Sequence, residues 1–272
     1  MYLGGNSLKS DNHLHSPFCP HGSSDQFEAY ILRALDLGLN QITFTEHAPL
    51  PSGFIDPTPN QDSGMNPAFL TSYFQELQAI KKCYSQKIDI KIGLEVDFIE
   101  GYEQEIKHFL DENGPYLDDS ILSVHFIKHG NQWYCIDFSA EIFGQIAKTL
   151  GSVENVYRLY YDTLAMSIAA DLGKYKPERI GHITLAQKFQ KQYPVSENFD
   201  QQIYRILEQI KQKGYSLDYN AAGLSKPLCL EPYPPERFAK RASALGIPLV
   251  FGSDAHVAKD VGRGFESLLQ AK

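Results

Sequence analysis

A single α/β barrel of parallel strands is predicted for this chain, and three observations predict it. The 272 residues are 43% hydrophobic and 21% charged, enough for one full core and about the length that one such barrel requires. Short apolar runs alternate with longer amphipathic patterns, the order expected of strands and helices wound into a parallel sheet. No Pro/Gly/Ser-rich linker divides the chain, so residues 1–272 are read as one domain.

The first run closes on Asp11-Asn12-His13-Leu14-His15. Residues 27–37 then form a helix, with Ala29, Ile31, Leu32 and Leu35 spaced for one buried face and Gly38 as its stop. The β-branched and aromatic run Gln41-Ile42-Thr43-Phe44-Thr45 is a strand that stops at Glu46-His47. The alternation continues with a helix over 69–84, a strand over 88–96, a helix over 102–110 and a strand over 120–125. Next come a helix over 153–171, a short strand ending Ile180-Gly181-His182, a helix over 203–213, a strand over 216–220, a helix over 235–245 and a strand over 248–251. Seven strands result. Two segments fall outside the alternation: 49–67, rich in Pro, Asp, Ser, Asn and Gly, and 126–151, read as irregular and carrying Trp133, the chain's one tryptophan. Insertions that follow strands of a parallel barrel lie on its C-terminal face, where they serve as lids or specificity loops.

Charge narrows the function classes. Lys and Arg number 25 against 33 Asp and Glu, a net charge of −8, which disfavours a general polyanion binder and so a nucleic-acid partner. A small anionic substrate stays compatible if metal ions supply positive charge. Cys19, Cys83, Cys135 and Cys229 are widely separated and match neither a zinc-ribbon spacing nor a secreted disulfide framework, so reduced thiols in a cytoplasm are expected. Residues 1–11 lack a basic stretch followed by an apolar run, and nothing approaches a membrane span. A soluble, cytoplasmic protein with no membrane partner is expected, its oligomeric state left open.

The chemistry sits at the strand ends. His13 and His15 close the first strand one residue apart, so their imidazoles share a side, and His21 follows in the loop. Glu46-His47 ends the second strand, Glu95 and Asp97 lie near the end of the third, His125 ends the fourth and His182 the fifth, and Asp254 and His256 follow the last. Seven of the nine histidines thus fall at the end where barrel enzymes keep their active sites. His108, inside a helix beside Lys107, reads as a surface residue, and His129 as a loop residue with a weaker claim on the site. Independent buried imidazoles have no reason to converge, so the cluster reads as a metal site. Imidazoles mixed with carboxylates, with no cysteine at a ligand position, suit zinc, iron(II) or manganese. The candidate ligands exceed what one tetrahedral ion can use, which implies two or three divalent ions with a bridging carboxylate.

Together His13-Leu14-His15, His21, Glu46-His47, Glu95, His125, His182 and Gly252-Ser253-Asp254-Ala255-His256 resemble the polymerase and histidinol phosphatase (PHP) superfamily, from about residue 11 to residue 264. Asn220-Ala221-Ala222-Gly223-Leu224, Lys226-Pro227 and Glu231-Pro232-Tyr233-Pro234 narrow the resemblance to its histidinol-phosphatase branch. It implies a distorted, TIM-like (β/α)7 barrel of the PHP type and three metals: one on His13, His15, Glu95 and Asp254, a second on Glu95, His125 and His182, a third on His21, His47 and His256. It also implies hydrolysis of L-histidinol phosphate to L-histidinol and phosphate in histidine biosynthesis.

A phosphate monoester carries about two negative charges near neutral pH and repels hydroxide, so catalysis needs cations to neutralise its oxygens and to make hydroxide available. Glu95, bridging two ions around a shared hydroxide, and Asp254 are the expected catalytic carboxylates. The proton donor to the leaving alcohol is left open between Asp254 and a nearby histidine. Arginine is the preferred phosphate partner, which makes Arg158 the first candidate for substrate binding, followed by Arg263 and Lys226. Related phosphatases often carry an arginine just after the Gly-Leu pair, where this chain has Ser225 and Lys226. Glu46 is a candidate for the amine or imidazole end of the substrate, or a support for His47. Two other readings remain: a PHP-type nuclease or phosphatase acting on nucleic-acid ends or another small ester, and a metal-binding module without turnover, which would close every coordination position with protein.

Overall fold

The computed structural model describes residues 9–268. Residues 1–8, most of the 1–11 stretch without a basic-then-apolar pattern, lie outside the described residues. Seven parallel strands run in the order β1 (Ser10–Leu14), β2 (Gln41–His47), β3 (Asp89–Asp97), β4 (Ile121–Ser123), β7 (Arg179–Ile180), β8 (Ser216–Asn220) and β9 (Leu249–Gly252). Each pairs in parallel with the next. The sheet rolls until its edges meet: Leu14 bridges Ala255 in parallel, His15 N donates to Ala255 O at 3.0 Å and Asp254 N donates to His13 O at 2.9 Å. The result is the nearly closed seven-stranded barrel that the alternation predicts.

Helices α1 (Phe27–Asp36), α2 (Leu70–Tyr84), α3 (Glu103–Asn113), α5 (Val153–Ala169), α6 (Asp200–Lys213) and α7 (Glu236–Ala244) lie between the strands. Each turns apolar side chains inward. Tyr30, Ile31 and Ala34 of α1 and Ile203, Ile206, Leu207 and Ile210 of α6 are buried, for example, as the 3.6-residue spacing requires. None of the described helices is long and apolar enough to cross a membrane.

Segment 126–151 departs from the irregular reading. It folds into an antiparallel hairpin, β5 (Phe126–His129) and β6 (Gln132–Cys135), and a helix, α4 (Ala140–Leu150). Gly130, at φ 60°, turns the hairpin, a backbone conformation that glycine adopts without a Cβ clash. Ser139 caps α4 by accepting from Ile142 N at 3.1 Å, Phe143, Ile146 and Ala147 face the core, and Gly151 ends the helix at φ 89°. The other insertion, 49–67, contains no strand and only the start of a short turn of 3-10 helix (Pro67–Phe69), yet it is braced. Asp56 accepts from Thr58 N at 2.8 Å and Ser63 N at 3.0 Å, Met65 N donates to His47 O at 3.2 Å, and the Met65 side chain is buried.

Candidate metal centre

Parallel strands point all their C-terminal ends the same way, so residues at or just past those ends converge. His13 and His15 leave β1, Glu46 and His47 end β2, Glu95 and Asp97 end β3, and His125 and His182 follow β4 and β7 by two residues. Asp254 and His256 follow β9. His13, His15, Glu46, His47, Glu95, His125 and His182 are all buried.

Glu95 stands at the centre. Its Oε1 accepts from Ser123 Oγ at 2.6 Å and lies 3.0 Å from His182 Nε2 and 3.8 Å from His125 Nε2. Its Oε2 faces the other way, 3.4 Å from His13 Nε2, 3.8 Å from His15 Nε2 and 3.2 Å from His47 Nδ1. One carboxylate thus presents an oxygen to each of two histidine sets, the disposition a bridging ligand needs. Donor atoms approach one another within 4.8 Å in three groups: Glu95, His125 and His182; His13, His15 and Asp254; and His15, Cys19, His47 and His256. His21 stands beside the third group, its ring centre 5.0 Å from that of His47 and 5.1 Å from that of His256.

Carboxylates and carbonyls behind the cluster set the histidine tautomers. His15 Nδ1 lies 3.1 Å from Glu46 Oε1, His125 Nδ1 2.8 Å from Asp97 Oδ1 and His13 Nδ1 3.0 Å from Asp218 Oδ2. His21 Nδ1 and His256 Nδ1 reach the carbonyls of Asp62 (2.9 Å) and Asp254 (3.1 Å). A carboxylate or carbonyl partner only accepts, so Nδ1 carries a proton, and Nε2 is the nitrogen that would ligate a cation once it gives up its own. Asp254 holds a left-handed backbone at φ 56°, a costly conformation for a non-glycine residue. In it, Oδ1 lies 3.1 Å from His15 Nε2 while Oδ2 accepts from Asn220 Nδ2 at 3.1 Å.

Several buried donor atoms find no hydrogen-bond partner, among them His13 Nε2, both ring nitrogens of His47 and His182 Nδ1. An orphaned buried imidazole nitrogen is costly unless something else binds it. Burial opposes charge on Glu95, yet His13, His182 and His125 around it hold its carboxyl well below the usual range. Burial also pulls His13 down, but Asp218, Asp254 and Glu95 outweigh it and raise the imidazole to about 10. His47 and His256 are driven the opposite way, by burial and then by the neighbouring His15 charge, so they stay neutral and able to ligate. The donor set suits several divalent cations of the zinc, iron(II) or manganese type.

The cluster opens into a cavity of about 460 Å³. Lys226 and Arg263 line it. Arg158 is not brought there: it lies on the outer face of α5, donates to Asn155 Oδ1 at 2.7 Å and pairs with Glu197. Its helix turns Tyr157, Tyr160, Tyr161 and Leu164 inward instead, which leaves the guanidinium in solvent. Glu46 does not face the cavity either. Besides His15, its oxygens accept from Ser16 N (2.8 Å), Ser16 Oγ (2.5 Å) and His47 N (2.9 Å), so it braces histidines rather than meeting a substrate. His108 is exposed beside Glu112, and His129 is exposed in the hairpin.

Sequence reasoning missed four residues. Cys19, set aside on spacing, is buried with its sulfur among the third donor group; burial raises its thiol pKa, but hydrogen bonds with His15 and His21 leave it lowered. Asp218 lies behind His13. Lys188, paired with Asp137 at 2.9 Å, adds a third cation to the cavity wall, and no sequence signal marks either partner.

Residues 11–222 match the PHP domain and residues 235–268 a PHP-associated segment. The chain is 47% identical over 264 residues to the histidinol-phosphatase of Bacillus subtilis (strain 168), covering 96% of this chain and 98% of that one. The crystal structure of a candidate histidinol phosphatase from Listeria monocytogenes superposes with a TM-score of 0.92 at 41% identity, covering 95% of this chain and 99% of that one. Histidinol phosphate phosphatase from Lactococcus lactis, solved with zinc, L-histidinol and phosphate, shares the fold at a TM-score of 0.69 and 24% identity, covering 92% and 87%. With its strand-end cluster and these matches, the chain belongs to the PHP domain family.

Proposed function

We propose that this chain is a metal-dependent phosphomonoesterase that hydrolyses L-histidinol phosphate to L-histidinol and phosphate in histidine biosynthesis. The observation that carries the reading is a carboxylate-centred histidine cluster opening into a cavity with three cationic side chains, in a chain 47% identical along nearly its whole length to a histidinol-phosphatase. His13, His15, Glu95 and Asp254, then Glu95, His125 and His182, then His21, His47 and His256 are assigned as ligands. Two or three divalent cations held there would neutralise phosphoryl oxygens and make hydroxide available near neutral pH.

The chain's own residues do the rest. Glu46, Asp97 and Asp218 fix three imidazoles, so the cluster needs little reorganisation as charge develops. Lys188 and Arg263 reach the cavity already neutralised by Asp137 and Asp260, whereas Lys226 has no acidic partner among the described residues. A phosphate entering the cavity supplies that partner. Overall the ester P–O bond breaks, a water oxygen ends on phosphorus and a proton on the released alcohol. The chain is read as one domain acting in the cytoplasm, where its four free cysteines would stay reduced.

The test is phosphate release by the metal-loaded protein from L-histidinol phosphate, beside other phosphate monoesters and a short single-stranded oligonucleotide. Selective turnover with kcat/KM at or above ~10⁴ M⁻¹ s⁻¹ supports the reading. Preference for the oligonucleotide or another ester replaces the substrate, and no turnover with metals bound leaves a binding module.

A further inference from the structure

The geometry points to Asp62 as the residue that reads the substrate's ammonium group, an inference that rests on the histidinol phosphate reading above. Five carboxylates line the cavity: Asp62, Glu95, Asp137, Asp254 and Asp260. Four already face basic groups. Glu95 lies among histidines, Asp137 is 2.9 Å from Lys188, Asp254 is 3.1 Å from His15, and Asp260 is 2.5 Å from Arg263. Asp62 faces none among the described residues; its Oδ2 accepts only from Asn60 Nδ2, at 3.3 Å. Among the described residues the cavity therefore has one carboxylate outside any ion pair, Asp62, and one ammonium outside any ion pair, Lys226. A substrate carrying phosphate at one end and an amine beside it satisfies both.

Position agrees with the chemistry. The amine of histidinol phosphate sits on the carbon next to the ester carbon, so a group that binds it must stand close to the cluster that holds the phosphate. The Asp62 carbonyl accepts from His21 Nδ1 at 2.9 Å, so the residue's backbone touches the cluster while its half-buried side chain lines the cavity. The loop around it is held in place. Asp56 binds Thr58 N and Ser63 N on either side, and Gln61 N donates to Thr58 O at 3.2 Å. A pre-positioned carboxylate loses little entropy on meeting an ammonium, and the charge-assisted hydrogen bond selects for the amine.

The experiment compares kcat/KM for L-histidinol phosphate and for the same ester lacking the amine, in the metal-loaded wild type and in Asp62→Asn, with metal content measured in both. The expected result is a wild-type preference for the amine-bearing ester that collapses on the order of 10- to 100-fold in Asp62→Asn, at unchanged metal content, and is partly restored in Asp62→Glu. An unchanged preference overturns the assignment, as does an equal fall for both esters, which would mean that Asp62 acts only through the His21 contact. A wild type that hydrolyses other phosphate esters but neither of these overturns the substrate reading itself, and the assignment with it.

Discussion

A metal ligand and the group behind it have separable effects. His15 sends Nε2 to Asp254 and Nδ1 to Glu46 from a fully buried position at the mouth of β1. His15→Ala is expected to abolish turnover and lower the bound metal per chain while far-UV circular dichroism stays native; near-native activity with unchanged metal content would defeat the assigned site. Asp218→Asn leaves every assigned ligand in place and removes the charge behind His13, a charge that also faces the buried Arg179 guanidinium at 3.6 Å. It should weaken metal affinity by roughly 10- to 100-fold, read by chelator competition, with activity recovered at high metal concentration. Activity lost beyond recovery at saturating metal would mean that Asp218 does more than orient His13. These residues also show what a sequence can disclose. His13, His15 and Asp254 were legible because strand ends converge on one face of a barrel. Asp218 was not, because its role depends on a partner 205 residues away that only the rolled sheet brings within 3.0 Å. Cys19 was hidden for a similar reason, since spacing along the chain carries no trace of its approach to His47 and His256.

Among the elements, alternation of apolar runs and amphipathic patterns was enough to locate all seven barrel strands and the six helices between them, because burial on a parallel sheet imposes those periods. The hairpin and α4 were lost inside an apparent insertion. Their local signals were present, Gly130-Asn131 at the turn and Ser139 before Ile142 and Phe143, but an expectation of strict strand-helix alternation left them no place. The ordered loop 49–67 was legible in composition but not in its bracing by Asp56, which depends on side-chain bonds to the loop's own backbone. Strand contacts also make a prediction of their own. A Cβ on Gly252 of β9 would stand 2.5 Å from His13 Cβ and 2.9 Å from Asp218 Oδ1, at the seam where β9 meets β1. Gly252→Ala should therefore cost about 1–3 kcal/mol of stability and reduce metal binding together, since the same displacement moves His13. Wild-type melting and metal content in that variant would show the seam to be looser than these distances require.

At the scale of the whole molecule, barrel closure and the candidate metal centre share the same residues. Ligands come from β1 and from the segment after β9, and the backbone bonds from His15 N to Ala255 O and from Asp254 N to His13 O join those same two stretches. Cations bound there would stabilise the closed barrel, because a ligand that binds the native state and not the unfolded chain stabilises it by RT ln(1 + L/Kd), where L is the free ligand concentration. Stripping the metals leaves buried imidazoles and carboxylates facing one another without cations to satisfy them. Chelation should lower the thermal midpoint by roughly 5–10 °C, the shift for a chain of this size when ~2.7 kcal/mol of binding free energy is lost. Zinc or manganese should return it. The transition should stay single in both states, because the core and the seam are shared by elements from the whole length of the chain. Two resolved transitions in calorimetry would divide residues 1–272 into separate units, and an unchanged midpoint after verified metal removal would mean that the seam closes without the cations.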